Sequence, residues 1–98
     1  MRTREDVLQN LQVAKSKIAD FGIQKIGLFG SYLRNEQTEK SDIDILIDFF
    51  PQKETYDNFL AAYDVIEKIF EGQKVEIVTK NGLSPYIGPK ILNEVQYV

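Results

Sequence analysis

The sequence predicts an α/β (α+β) sandwich around a small sheet, and three observations carry that prediction. Residues 7–18 and 56–70 each place large apolar side chains at helical period. Ile43 to Phe49 instead alternates, with Ile43, Ile45, Ile47 and Phe49 on one face and Asp42, Asp44, Leu46 and Asp48 on the other. Glycine, proline and asparagine stand between these stretches as turn signals.

The elements follow in chain order. Thr3 is positioned to cap a first helix whose stripe is Val7, Leu11, Ala14 and Ile18, broadened by Leu8, with Gly22 as its stop. Lys25-Ile26-Gly27-Leu28-Phe29 reads as a short strand ending at Gly30-Ser31. Residues 32–40 turn polar, which predicts a short helix after Ser31 followed by a loop. The alternating strand comes next and ends at Pro51. Thr55 is placed to cap a second long helix with Tyr56, Phe59, Leu60, Tyr63, Ile66 and Phe70 at helical spacing, and Gly72 follows it. Residues 74–79 form a third expected strand, bounded by Gly72 and by Asn81-Gly82. Ser84-Pro85 has the form of a helix start, with Gly88-Pro89 expected to break or re-aim that helix before Ile91 and Leu92. No repeat or linker interrupts the order, so residues 1–98 are expected to form one domain.

Composition narrows the chemistry. The chain has neither cysteine nor histidine, which excludes disulfides, thiolate metal sites and imidazole catalysis. Acid–base or metal chemistry must therefore use carboxylates, hydroxyls, lysine and arginine, and oxygen-only ligation favours magnesium or manganese. A net charge of −3 argues against a broad nucleic-acid-binding surface but leaves room for a nucleotide in one pocket. No secretory signal or membrane-spanning run is apparent, so no membrane association is expected and a cytoplasmic location is the default.

Asp42 and Asp44 stand two apart on the expected strand, which projects both carboxylates from one face. Such a pair repels itself, and a divalent cation relieves the repulsion; alone, the pattern fits a solvated strand start better. Gly30-Ser31 precedes it by ten residues. Glycine lets the backbone approach a phosphate closely, Ser31 offers a hydroxyl, and the amides that follow are free to bind an anion. Arg34, three residues after Ser31, would face the same way on a helix and could neutralise phosphate charge, or pair with Glu36 or Glu39 at the surface. Glu76 lies between Val75 and Ile77 in an apolar strand, where an unpaired charge is costly unless its face is solvated or a lysine pairs with it.

Gly30-Ser31, the ten residues to Ser41, and Asp42-Ile43-Asp44 together resemble the Gly-Ser-x10-Asp-x-Asp motif of the DNA polymerase beta-like nucleotidyltransferase superfamily. The stretches from Leu28 to Arg34 and from Ser41 to Ile47, with Val75-Glu76-Ile77-Val78 and the tail from Glu94 to Val98, are similar to its minimal nucleotidyltransferase (MNT) branch. The resemblance implies a nucleotidyltransferase fold, a small mixed sheet flanked by helices. It assigns the triphosphate to Gly30 and Ser31, to which the spacing from Ser31 adds Arg34, and catalytic metal binding to Asp42, Asp44 and Glu76. Glu76 stands where the family more often has aspartate, and Arg34-Asn35 where it commonly has Arg-Gly. It further implies magnesium or manganese, ATP as substrate, and transfer of AMP to a hydroxyl, expected to be a tyrosine, on a HEPN ribonuclease toxin for which the protein is the antitoxin. A binding-only antitoxin and transfer to a small molecule are the competing expectations.

Overall fold

The computed structural model describes residues 2–98, so Met1 of the expected domain lies outside the described residues. Helix α1 spans Arg4–Ile18. Thr3 caps it reciprocally: its hydroxyl accepts from Asp6 N at 3.1 Å and its own N–H donates to Asp6 Oδ2 at 3.0 Å, which satisfies donors the helix leaves open. Val7, Leu11, Ala14 and Ile18 are all buried, as their spacing requires. Strand β1, Ile23–Phe29, starts two residues before the expected Lys25 because Ile23 is drawn into the core opposite Phe49. Strand β2 is Ile43–Phe49, with the expected bounds. Helix α2, Tyr56–Ile69, is capped by Thr55, whose hydroxyl accepts from Asn58 N at 3.1 Å. Strand β3 is Val75–Thr79, helix α3 Gly88–Glu94, and strand β4 Gln96–Tyr97.

The four strands form one mixed sheet in the order β3-β2-β1-β4. β2 runs antiparallel to β1 and parallel to β3, with α2 as the crossover between the parallel pair. One face carries Ile26, Leu28, Ile43, Ile45, Ile47 and Phe49, and these share a single apolar core with the stripes of α1 and α2. In α2 the buried residues are Ala62 and Ile66, joined by the C-cap residue Phe70; Tyr56 (75% exposed) and Leu60 (41% exposed) of the expected stripe face solvent. The second face of β2 carries Asp44, Leu46 and Asp48. This face holds the candidate site.

Two expectations are corrected. The helix expected after Ser31 is a single turn, because Asn35 adopts a left-handed conformation (φ 58°) and closes it. Glu36 N donates to Ser31 O at 2.9 Å and Asn35 N to Tyr32 O at 3.4 Å, the paired bonds that terminate a helix at a left-handed residue. The last helix begins at Gly88 rather than at Ser84-Pro85, and Gly88-Pro89 opens it instead of breaking it. Pro89 lacks only an N–H that a first helical turn leaves unbonded, while Ser84 holds the preceding turn by accepting from Ile87 N and Gly88 N. The tail pairs with β1 as β4, a strand not among those expected from the sequence. Val98 N donates to Ile26 O at 3.1 Å, and Lys15 Nζ donates to Val98 O at 2.9 Å. Gly27 makes this pairing possible: a Cβ there would lie 2.7 Å from Val95 Cγ2 and 2.8 Å from Gln96 O.

Candidate active site

Strand register assembles the site. Phe29 at the end of β1 pairs with Asp44 of β2, and Asp44 pairs with Glu76 of β3. Gly30 therefore follows β1 beside the first acidic residue of β2, and Glu76 stands on the opposite flank. The chain leaves Gly30 with φ 81°, a left-handed conformation that disfavours residues bearing a Cβ. A Cβ at Gly30 would lie 2.1 Å from Asp44 Oδ2. The glycine is thus required both by the backbone and by the carboxylate packed against it.

Asp44 is half-buried, and its carboxyl is pushed up to about 6. Burial is the largest cause; the charge and hydrogen bond of Glu76 follow, then the charge of Asp42, while Arg34 opposes the shift. Glu76 is exposed, so the burial cost inferred from its apolar neighbours does not apply: its face of β3 is solvated. Among the described residues no ion pair includes Glu76. Asp42 lies just before β2, and its Oδ2 is 3.8 Å from Lys74 Nζ. Among the described residues no three carboxylates are already gathered as a cation site. The register brings Asp44 and Glu76 together, and Asp42 acts on Asp44 through its charge. Asp48 lies further along β2, buried (8% exposed), and accepts from Gln24 Nε2 at 3.4 Å, away from this group.

Ser31 begins the turn closed by Asn35. Arg34 N donates to Gly30 O at 3.2 Å, so the arginine sits over the glycine. Its guanidinium pairs with Glu36 at 2.8 Å, one of the surface partners its sequence allowed, but also with Glu94. Glu94 was not legible as a site residue. It stands at the end of α3, and its other oxygen accepts from Gly30 N at 3.2 Å. On the far side of Asp42 a groove of about 1040 Å³ is lined by Tyr32, Lys40, Ser41, Gln73 and Lys74 among others. The Tyr32 hydroxyl at its base accepts from Gln73 Nε2, whose amide oxygen in turn accepts from Arg2 at 2.7 Å.

A mixed sheet thus sets a glycine-ended strand against an acidic pair, with a third carboxylate across the next strand. The chain belongs to the nucleotidyltransferase domain family, whose profile matches residues 6–98. It is 36% identical to the protein adenylyltransferase MntA of Thermococcus cleftensis, over all of this chain and 98% of that protein. It is also 36% identical to a Methanocaldococcus jannaschii protein assigned by inference as a protein adenylyltransferase, over the full length of both. Its fold matches a solved structure described by inference as a minimal nucleotidyltransferase, with a TM-score of 0.82, 27% identity and coverage of 97% of this chain and 95% of that one. The sheet and helices expected from the sequence are therefore those of this family. No helix among the described residues is long and apolar enough to cross a membrane.

Proposed function

We propose that this protein is a metal-dependent adenylyltransferase, acting as one domain over residues 1–98, that moves AMP from ATP to a hydroxyl of a partner protein. The partner we propose is a HEPN ribonuclease toxin, the acceptor a tyrosine, and the consequence antitoxin activity. One observation carries the catalytic part of this reading: Asp44 and Glu76 face each other in register beside Gly30. The relatives named as protein adenylyltransferases support transfer to a protein.

The donor set suits a hard divalent cation. Asp44 is held well above the ordinary aspartate range by burial and by two neighbouring carboxylates, an excess of negative charge that a magnesium or manganese ion would relieve. Asp42, Asp44 and Glu76 are the residues that would hold it. Such an ion supplies charge neutralisation on the phosphate oxygens and lowers the cost of deprotonating a hydroxyl. The chain's own groups do the rest. Gly30 N–H, the Ser31 hydroxyl and the Arg34 guanidinium bind and orient the triphosphate. The acceptor oxygen attacks the α-phosphorus in line, forming the new O–P bond as the bond to the β-phosphate oxygen breaks and pyrophosphate departs. With no histidine in the chain, the Glu76 carboxylate takes the acceptor proton.

The test is to combine the protein, ATP and magnesium with the toxin encoded beside it. Intact-mass measurement should show the toxin gaining about 329 Da, one adenylyl group, or a multiple of it. The gain should map to a tyrosine and disappear with Asp44→Asn. A stable complex that never gains mass would establish a binding-only antitoxin instead, and the absence of any complex would return the acceptor to a small molecule.

A further inference from the structure

Gly30 N–H and the Arg34 guanidinium converge on one carboxylate inside the protein. Gly30 N donates to Glu94 Oε2 at 3.2 Å, and Arg34 Nη1 donates to Glu94 Oε1. The contact is not a casual surface pair: the Glu94 side chain is 21% exposed, against 63% for Glu36, the other partner of Arg34. Partial burial pushes the Glu94 carboxyl up, but the bonds from Arg34 and from Gly30 N–H outweigh it and hold the group below the ordinary range. Glu94 is therefore bound as an anion, by a backbone donor and a guanidinium.

A carboxylate and a phosphate offer these donors the same thing, two charged acceptor oxygens on one centre. Gly30 has a single N–H, and Glu94 already holds it. We infer that Glu94 is an internal anion that occupies the phosphate-binding turn of the nucleotide-free protein and is displaced when a polyphosphate binds. The inference rests on the assignment of Gly30 and Arg34 to the triphosphate made above. It adds a threshold to that site: a ligand must compete with a carboxylate tethered to the same chain, which a tripolyphosphate can do with many oxygens and a single inorganic phosphate cannot. It also links the site to the tail, because only Val95 separates Glu94 from β4 and its pairing with β1.

Calorimetric titration of the full chain with tripolyphosphate, inorganic phosphate and magnesium-ATP tests this. Glu94→Gln keeps the shape of the side chain and removes its charge; it should bind tripolyphosphate about tenfold more tightly than wild type, in line with the strength of a charge-assisted hydrogen bond. Inorganic phosphate should bind measurably only to that variant. Arg34→Ala should weaken tripolyphosphate binding in either background. Wild type supplies a second readout that does not depend on the variant folding: followed by carbon-13 NMR, the Glu94 carboxyl should titrate at higher pH once tripolyphosphate has taken its partners. If Arg34→Ala weakens binding but Glu94→Gln folds and binds no tighter, or if Glu94 keeps its low titration in the bound protein, then Glu94 is a fixed support of the turn. The proposal is then overturned and the phosphate assignment stands. If no polyphosphate binds to wild type or to either variant, the phosphate assignment falls, and the inference with it.

Discussion

Asp44 on β2 stands directly across from Glu76 on β3, and the Asp44 carboxyl is pushed up to about 6 by burial and then by Glu76. Strand pairing holds the two backbones in place, so the charges cannot separate by moving the main chain. Three outcomes are open to such a pair: take up a proton, take up a cation, or destabilise the fold. Each is measurable.

Without metal, the proton should be visible in stability. The folded pKa of Asp44 is about 6 against an ordinary 3.8, so between these values the folded protein binds more proton than the unfolded chain. Stability from this group therefore falls as pH rises from 3.8 to 6 and stays low above that. Asp44→Asn should accordingly melt higher than wild type at pH 7 in chelator, with the difference shrinking as the pH is lowered toward 4. A constant difference across that range would mean that Asp44 is not under this pressure.

The cation should replace the proton. A ligand that binds only the folded state stabilises by mass action, by about 2.7 kcal/mol at a hundred times its dissociation constant. Magnesium or manganese with ATP should therefore raise the melting temperature of wild type at pH 7. The Asp42→Asn, Asp44→Asn double variant should lose most of that response. An equal rise in both proteins would remove the metal assignment from these carboxylates.

Glu76 separates catalysis from folding, because it is exposed. Glu76→Gln should leave the metal-free melting temperature level or slightly higher and reduce transfer by about two to four orders of magnitude, the usual worth of a general base. Glu76→Asp should retain measurable activity, since it keeps a carboxylate in the same register. Transfer by Glu76→Gln at the wild-type rate would take Glu76 out of the mechanism.

Much of this arrangement could be read from the sequence, and the rest could not for identifiable reasons. Ile43 to Phe49 alternates so regularly that one face had to be core, and all four residues of the expected inner face are buried. The buried stripe of α1 follows from spacing in the same way. Tyr56 and Leu60 fit the period of α2 yet stay exposed, because periodicity gives direction along a helix but not how far the core extends. Pro89 marks a helix boundary in either direction, and only the structure shows that it starts α3. Gly30 and Asp44 share a motif and so were legible together. Glu94 was not: it opens the tail that shares in the resemblance, but nothing there gives it a place at the site, which depends on α3 returning the chain to Gly30.

Gly30 should prove irreplaceable for two separable reasons. Its φ of 81° penalises any side chain, and a Cβ would meet Asp44 Oδ2 at 2.1 Å. Backbone strain of this kind costs about 1–3 kcal/mol, and Asp44 can escape the contact only by swinging its carboxylate away. Gly30→Ala should therefore lower stability by the backbone cost plus that of displacing the carboxylate, and should lower transfer far more, because the displaced carboxylate is the one expected to organise the site. A thermodynamic cycle with Asp44→Ala isolates the two effects. In that background the added methyl no longer meets a carboxylate oxygen, so Gly30→Ala should cost less than it does in wild type, and the difference is the contact itself. The residual cost is the backbone conformation together with the 3.1 Å approach to the Cβ that Asp44→Ala retains. If the two substitutions were additive in denaturant melts of the four proteins, the close approach of Gly30 to the Asp44 carboxylate would play no part in the requirement for glycine, and its left-handed backbone and the Cβ contact would remain.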